Sequence, residues 1–174
     1  MDVLEAIGTM RATRNFADRP VSEEDIRRVV NSGRRSQSSK NTQPWGFVVV
    51  RDRNTLNGLS QSGKFAGHLA GAAFAVVLVS PDLSGRASIA YDLGQATAYM
   101  QLAGWELGLG SCIAWLHEGD KAAALLGIPA EKEASVALSF GYPTEGERQP
   151  GAMKKGGRRP LAEVMHWDRW GSGA

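Results

Sequence analysis

At 174 residues, 43% of them hydrophobic and 22% charged, the chain is long enough to bury one core and too short to need several domains. A net charge of +2 excludes a dedicated nucleic-acid binder, whose basic residues would dominate one face. Cys112 is the only cysteine, which excludes an intrachain disulfide and fits a reducing compartment.

The basic residues fall in short groups: Arg11 with Arg14, Arg27 with Arg28, Arg34 with Arg35, Lys154 with Lys155, and Arg158 with Arg159. That pattern suits one or two phosphate-sized anions better than a polyanion. The N-terminus carries acids early and lacks a signal peptide's apolar block, and the apolar run Leu69 to Val79 is too short to span a bilayer. The expected address is the cytoplasm.

A first helix is expected over Asp2 to Met10, with Val3, Leu4 and Ile7 on one face and Asp2 favourable at the positive helix end. A second starts at Ser22, an N-cap with Asp25 three residues on, and Ile26, Val29 and Val30 supply its buried stripe. Arg34 to Pro44 is polar and reads as a loop. Phe47 to Val50 reads as a short buried strand, Thr55 to Ser62 as a helix, and Ala73 to Val79 as a central strand ended by Ser80-Pro81. The longest helix runs from Ser88 to Leu107, where Ile89, Leu93, Ala96, Met100, Ala103 and Leu107 recur at helical spacing. Gly108-Leu109-Gly110 stops it, because glycine tolerates a left-handed C-cap. Ser111 to Trp115 reads as a strand, Asp120 to Leu126 as a short helix, and Ala134 to Phe140 as a further strand. After Gly141-Tyr142-Pro143 the chain turns glycine-rich and basic, then ends in His166-Trp167-Asp168-Arg169-Trp170. With no internal repeat or linker, this is one domain over 1–174, an α/β or α+β sandwich. Residues from about 150 onward form a tail whose tryptophans suit packing on another subunit.

Several signals carry little. Gly58 to Lys64 has the spacing of a phosphate-binding P-loop, but Phe65 follows where a Ser or Thr must meet magnesium; helix termination accounts for it better. Gly63, Gly67 and Gly71, spaced by four, read as close backbone packing. No G-x-G-x-x-G follows a strand, and no G-x-S-x-G elbow is present. His68, His117 and His166 lie far apart without metal-binding spacing and read as structural or surface residues. Cys112, among apolar neighbours, reads as a buried and inert thiol.

Four segments make sense together. Arg11-Ala12-Thr13-Arg14 ends the first helix with two guanidiniums able to converge on one phosphate or anionic ring. Ser36 to Trp45 carries hydroxyls and amides that both donate and accept, as a uracil-like ring edge requires. Asp92-Leu93-Gly94-Gln95 opens the long helix and Gly108 to Cys112 closes it, with small residues that let a planar ring press on backbone. Gly156 to Leu161 adds the guanidiniums of Arg158 and Arg159.

In this order the segments resemble the FMN-dependent nitroreductase family over nearly the whole chain. The family's R-S-x-R-x-F is matched by Arg11 to Phe16, its P-S-x-x-N-x-Q-P-W loop by Gln37 to Trp45, and its A-x-x-x-G-L-G-S-C helix ending by Gly104 to Cys112 in the latter part only. Gly141-Tyr142-Pro143 and Arg158-Arg159-Pro160-Leu161 complete the pattern. The resemblance implies an α+β three-layer sandwich, a central and mostly antiparallel sheet flanked by helices, in an intertwined homodimer with FMN at the subunit interface. It implies that Arg11, Arg14 and Arg158 grip the FMN phosphate and ribityl chain, with Ala12 and Arg159 close by and Arg14 near the N1 side of the ring. Ser38, Ser39, Asn41 and Gln43 would come from the partner subunit, while Cys112, Ile113 and Ala114 line the ring through backbone. Ala12 stands where the family often has Ser, and Gln37 where it has Pro.

The implied activity is oxidoreduction: NAD(P)H donates hydride to the flavin, which passes it to a nitroaromatic, quinone or similar acceptor, so the cofactor carries the chemistry and the protein its electrostatics. Two alternatives share the motifs: a specialised enzyme on the same scaffold, such as a dehalogenase or flavin reductase, and a non-catalytic FMN-binding or storage protein. The motifs also allow a globular domain that binds no cofactor. No metal, nucleic acid or membrane enters the expected chemistry.

Overall fold

The computed structural model describes residues 1–84, 86–145 and 157–172. Helix α1 runs Val3–Thr9, capped by Asp2, whose carboxylate accepts from the Glu5 amide at 2.8 Å. Helix α2, Glu23–Arg34, starts at Ser22, whose hydroxyl oxygen accepts from the Asp25 amide at 3.1 Å. Such a cap is worth about 1 kcal/mol, because it satisfies an amide that has no partner within the helix. Strand β1 is Gly46–Val50, helix α3 Arg53–Ser60, strand β2 Phe74–Ser80 and helix α4 Ala87–Glu106. Strand β3 (Gly110–Trp115), helix α5 (Gly119–Leu126) and strand β4 (Glu133–Gly141) follow. Single 3-10 turns lie at Ser39–Asn41, Gly67–Leu69 and Leu161–Glu163.

The four strands form one sheet in the order β1-β2-β4-β3, each neighbouring pair antiparallel. Alternation along β2 then builds two cores. Phe74, Val76 and Leu78 point to one face, where α2 and α4 cover them with Ile26, Val29, Leu93 and Met100. Ala75 and Val77 point to the other, against Leu56 and Leu59 of α3 and Ala122 of α5. The result is helices, sheet, helices: three layers, as expected. Phe74 stacks on Phe140 of β4 with centroids 5.0 Å apart, a pairing worth about 0.5–1.5 kcal/mol beyond its buried area.

The long helix ends as its glycines demand. Gly108 has φ 81°, a conformation that any side chain would strain. Three expectations need correction. Residues 47–50 form an edge strand rather than a buried one, because β1 pairs only with β2; Phe47 and Val48 are half-buried and Val49 is exposed. The glycines spaced by four do not pack alike. A Cβ on Gly63 would stand 2.3 Å from the Trp115 carbonyl oxygen, but one on Gly67 or Gly71 would meet nothing within 4 Å.

Helix α1 carries the third correction. Val3, Leu4 and Ile7 do share its apolar side, yet all three are exposed, Leu4 at 80%, and only Ala6 is buried. The helix is tied to α4 instead by the Trp105 indole, which donates to Thr9 Oγ1 at 3.0 Å. Trp167 and Trp170 of the tail are exposed too, with the Trp170 ring 4.4 Å from that of His166. The basic stretch with Lys154 and Lys155 lies outside the described residues. No helix among the described residues is long and apolar enough to cross a membrane.

Candidate functional site

Beyond α1 the chain lies along the outer rim of β3. Ala12 bridges Ser111 in parallel, and the Thr13 amide donates to the Ser111 carbonyl at 2.9 Å. This extended pairing alternates the side chains. Thr13 is fully buried over Gly110, where a Cβ would stand 2.4 Å from its hydroxyl oxygen, so glycine at 110 makes the room. Ala12 and Arg14 face outward and are exposed. Arg14 thereby reaches a cavity of about 710 Å³ that it lines with Asn15, Phe65, Gly67, His68, Gly71 and Ile113. Cavities of roughly 300–1,000 Å³ suit small ligands and cofactors.

Strand period sorts the next three candidates. Ile113 projects outward and is 48% exposed, whereas Cys112 and Ala114 point into the protein and are buried. Only backbone at 112 and 114 is therefore offered to a ligand on the rim. Burial pushes the Cys112 thiol above its ordinary value, opposed by the Arg14 charge and the Ile113 backbone. The thiol stays protonated and unreactive, as the sequence suggested.

His68 is the residue that sequence reasoning set aside. Its Nδ1 lies 2.8 Å from the Ser139 hydroxyl, which also donates to the Cys112 carbonyl at 3.4 Å. Its Nε2 is buried and meets no partner among the described residues. Burial is the first cause, and the Arg14 charge the second, of a pKa held below the ordinary imidazole value; the Ile113 backbone opposes both. The ring is accordingly neutral, a dipole in the wall of a cavity whose cation is Arg14. No local pattern marks it, because its neighbours Arg14, Ile113 and Ser139 come from three other segments.

Arg11 does not line this cavity. Its Nη1 turns back on α1, donating to the carbonyls of Gly8 and Met10, each at 2.8 Å, which closes the helix's negative end. Arg158 and Arg159 are exposed and do not line it either.

The Ser36 to Trp45 loop stands elsewhere. Its end, Ser39, Lys40 and Thr42 to Trp45, lines a second recess with Arg86 and Lys132. Ser38 Oγ accepts from the Gln43 amide at 3.0 Å, and the Ser39 amide donates to both carboxylate oxygens of Asp92 at 3.1 and 3.0 Å. Lys40, Asn41 and Gln43 have φ values of 53°, 54° and 47°. Left-handed non-glycine residues cost of order 1 kcal/mol each and persist where the surroundings over-determine them. Ser39, Asn41 and Gln43 all present exposed side chains from this braced loop. Asp92, expected as part of a small-residue helix start, is instead the loop's buried anchor.

Within one chain, then, Arg14 and Ile113 come together, joined by His68, while the loop and the late arginines do not join them. The cavity suits a flat, polar-edged group on three counts. Gly67 and Gly71 leave an open floor, Arg14 supplies positive potential, and the buried His68 Nε2 lacks a partner. Unmet buried polar atoms are rare in folded proteins, and a bound ligand is one common cause.

The family model described as Nitroreductase family matches residues 7–64 and 57–142. A protein of Archaeoglobus fulgidus, provisionally named as an NADH dehydrogenase/NAD(P)H nitroreductase, is 36% identical over 156 residues, 83% of this chain and 87% of its own. The solved FMN-dependent nitroreductase of Clostridium difficile R20291 superposes with a TM-score of 0.82 at 24% identity, over 97% of this chain and 100% of that one. A provisionally named nitroreductase of Desulfovibrio desulfuricans, solved in complex with FMN, gives 0.79 at 27% identity over 95% of each chain.

Proposed function

Because this chain belongs to the nitroreductase family, we propose that it is an FMN-dependent NAD(P)H oxidoreductase that reduces a nitroaromatic, a quinone or a similar acceptor. The observation that carries this reading is the cavity joining Arg14 and Ile113 to the neutral, partly unsatisfied His68. Bound FMN supplies the ring that accepts and returns hydride. Everything the chain adds is binding, orientation and field.

Arg14 contributes a fixed positive charge, which favours the more negative state of any ring held beside it. His68, kept neutral by burial and by Arg14, adds a dipole without competing charge. Gly67 and Gly71 keep the floor free of side chains. The exposed Ile113 would pack against the ring, and the backbone of Cys112 and Ala114 would line it. Arg11, Arg14 and Arg158 would hold the phosphate and ribityl chain, with Arg159 and the outward-facing Ala12 close by, Arg11 giving up its bonds to the Gly8 and Met10 carbonyls to do so.

The same reading makes the protein a homodimer. Ser38, Ser39, Asn41 and Gln43, remote from the Arg14 cavity in their own chain, reach the partner's flavin across the interface. The exposed apolar side of α1 and the tail tryptophans supply the surface that a second subunit covers.

Two measurements test this on purified protein. A flavin absorbance band near stoichiometric FMN is expected, bleached on anaerobic addition of NADH or NADPH; a flavoprotein that stays yellow with both donors is a binding module, and a colourless one that takes up no FMN is neither. Arg14→Ala should weaken FMN binding about tenfold or more, the scale of one charge-assisted hydrogen bond.

A further inference from the structure

The flavin cavity has a neighbour. A recess of about 520 Å³ shares a lining residue with it, Gly71. A Cβ on Gly71 would meet nothing within 4 Å. The second recess is cationic: Arg19, Arg51 and Arg53 line it, against the single carboxylate of Asp18.

Its arginines are positioned and underused. The Arg19 guanidinium sits 3.7 Å from the centroid of the Tyr142 ring. Its loop is pinned by the Ala17 amide donating to the Tyr142 carbonyl at 2.8 Å and by the bridge between Phe16 and Pro143. Arg53 Nη1 donates to the carbonyls of Ala70 and Ala72, which flank Gly71. Arg51 follows the end of β1; the nearby exposed Glu23 is held below the ordinary carboxylate value first by the hydrogen bond and charge of Arg27, with the Arg51 charge a lesser cause. Among the described residues none of the three arginines forms a salt bridge. Guanidiniums not engaged by carboxylates are the donors that phosphate oxygens match best, and Arg19 and Arg53 are already held by the contacts above.

We propose that the Arg19–Arg51–Arg53 recess receives the phosphate-bearing adenosine end of the electron donor, and that it selects NADPH over NADH. The inference rests on the flavin reading, which puts the FMN ring in the Arg14 cavity next door and brings the donor to that ring. NADH and NADPH share the diphosphate and differ in the 2′ group, a hydroxyl in one and a phosphate in the other. A recess with three cations and one acid discriminates on that difference, because only the phosphate gives the guanidiniums a multiply charged acceptor.

Direct binding separates this from the flavin reading. Adenosine 2′,5′-bisphosphate and adenosine 5′-monophosphate are titrated calorimetrically into the protein as purified, into Arg51→Ala and into Arg19→Ala. Steady-state rates with NADPH and NADH, and FMN content, are measured on the same preparations. The bisphosphate should bind the unmodified protein about tenfold tighter than the monophosphate, and each variant should lose most of that margin, the scale of one charged hydrogen bond. The ratio of kcat/KM for NADPH to that for NADH should fall in parallel, with FMN content unchanged. Equal binding of the two nucleotides, or a ratio that the variants leave where it was, overturns the assignment while the flavin reading stands. Loss of FMN in Arg51→Ala overturns it differently, by giving the recess to the flavin's own phosphate. A protein that holds no FMN and is reduced by neither donor removes the premise and this assignment with it.

Discussion

The Ser39 amide donates to both carboxylate oxygens of Asp92, at 3.1 and 3.0 Å, across 53 residues of sequence. This one contact ties the polar loop to the buried side of α4 while Lys40, Asn41 and Gln43 are held at positive φ. Removing the carboxylate frees the loop to relax away from the conformation that presents its side chains. Asp92→Ala should lower stability by about 1.5–3 kcal/mol, the range for a hydrogen bond to a charged group. Thermal unfolding with FMN removed checks the stability, and FMN affinity should weaken as well. An Asp92→Ala protein with unchanged melting temperature and unchanged FMN affinity would show that the loop needs no brace.

His68 makes folding sensitive to acid. Its folded-state pKa lies below the ordinary value near 6.5. As pH falls through that value the unfolded chain takes up a proton that the folded protein refuses, so stability declines from there down to the depressed pKa and levels off below it. Between pH 7.5 and 5.5 the native protein should therefore lose more melting temperature than His68→Gln does. Parallel pH profiles for the two proteins would count against a buried neutral imidazole.

Gly63 and Gly67 are four residues apart and should respond oppositely to a side chain. Gly63→Ala drives a Cβ to 2.3 Å from the Trp115 carbonyl oxygen, backbone that can yield only by moving β3. A loss of about 1–3 kcal/mol or more is expected, as for other overpacked sites. Gly67→Val meets open space and should leave stability within about 0.5 kcal/mol. It fills the cavity floor, however, and should abolish FMN retention. Retention of FMN by a well-folded Gly67→Val protein would move the flavin away from this cavity.

The apolar side of α1 predicts an association surface. Leu4 and Ile7 are exposed in the single chain, so Leu4→Lys with Ile7→Lys costs little in the folded monomer. Light scattering during size exclusion should show a dimer for the native protein and a monomer for the double variant. FMN affinity should fall with dissociation, because half of the proposed cradle comes from the partner. A double variant that remains dimeric assigns this surface some other role.

Much of the site was readable from residues alone. The period-two alternation that makes β3 a strand also determines that Ile113 faces out and that Cys112 and Ala114 face in. Ser22, Asp2 and Gly108 announced helix ends by chemistry that acts within three or four residues. His68 announced nothing. A lone imidazole carries no pattern, and its part in the cavity depends on Arg14, Ile113 and Ser139 arriving from elsewhere. The loop anchor was equally silent, since Asp92 fits the helical sequence around it whether or not it accepts a hydrogen bond.

Local sequence determined which segments are helices and strands, where they stop, and which residue types are available to hold an anionic ring. Those properties follow from backbone and side-chain preferences over a few residues. The order β1-β2-β4-β3 set what those segments face, and with it the pairing of Arg14 with His68, the exposure of β1 and of the α1 apolar side, and the sharing of Gly71 by two recesses. Each of these brings together groups far apart in the chain, and the free energy that holds them comes from burying two shared cores rather than from any preference written at one position.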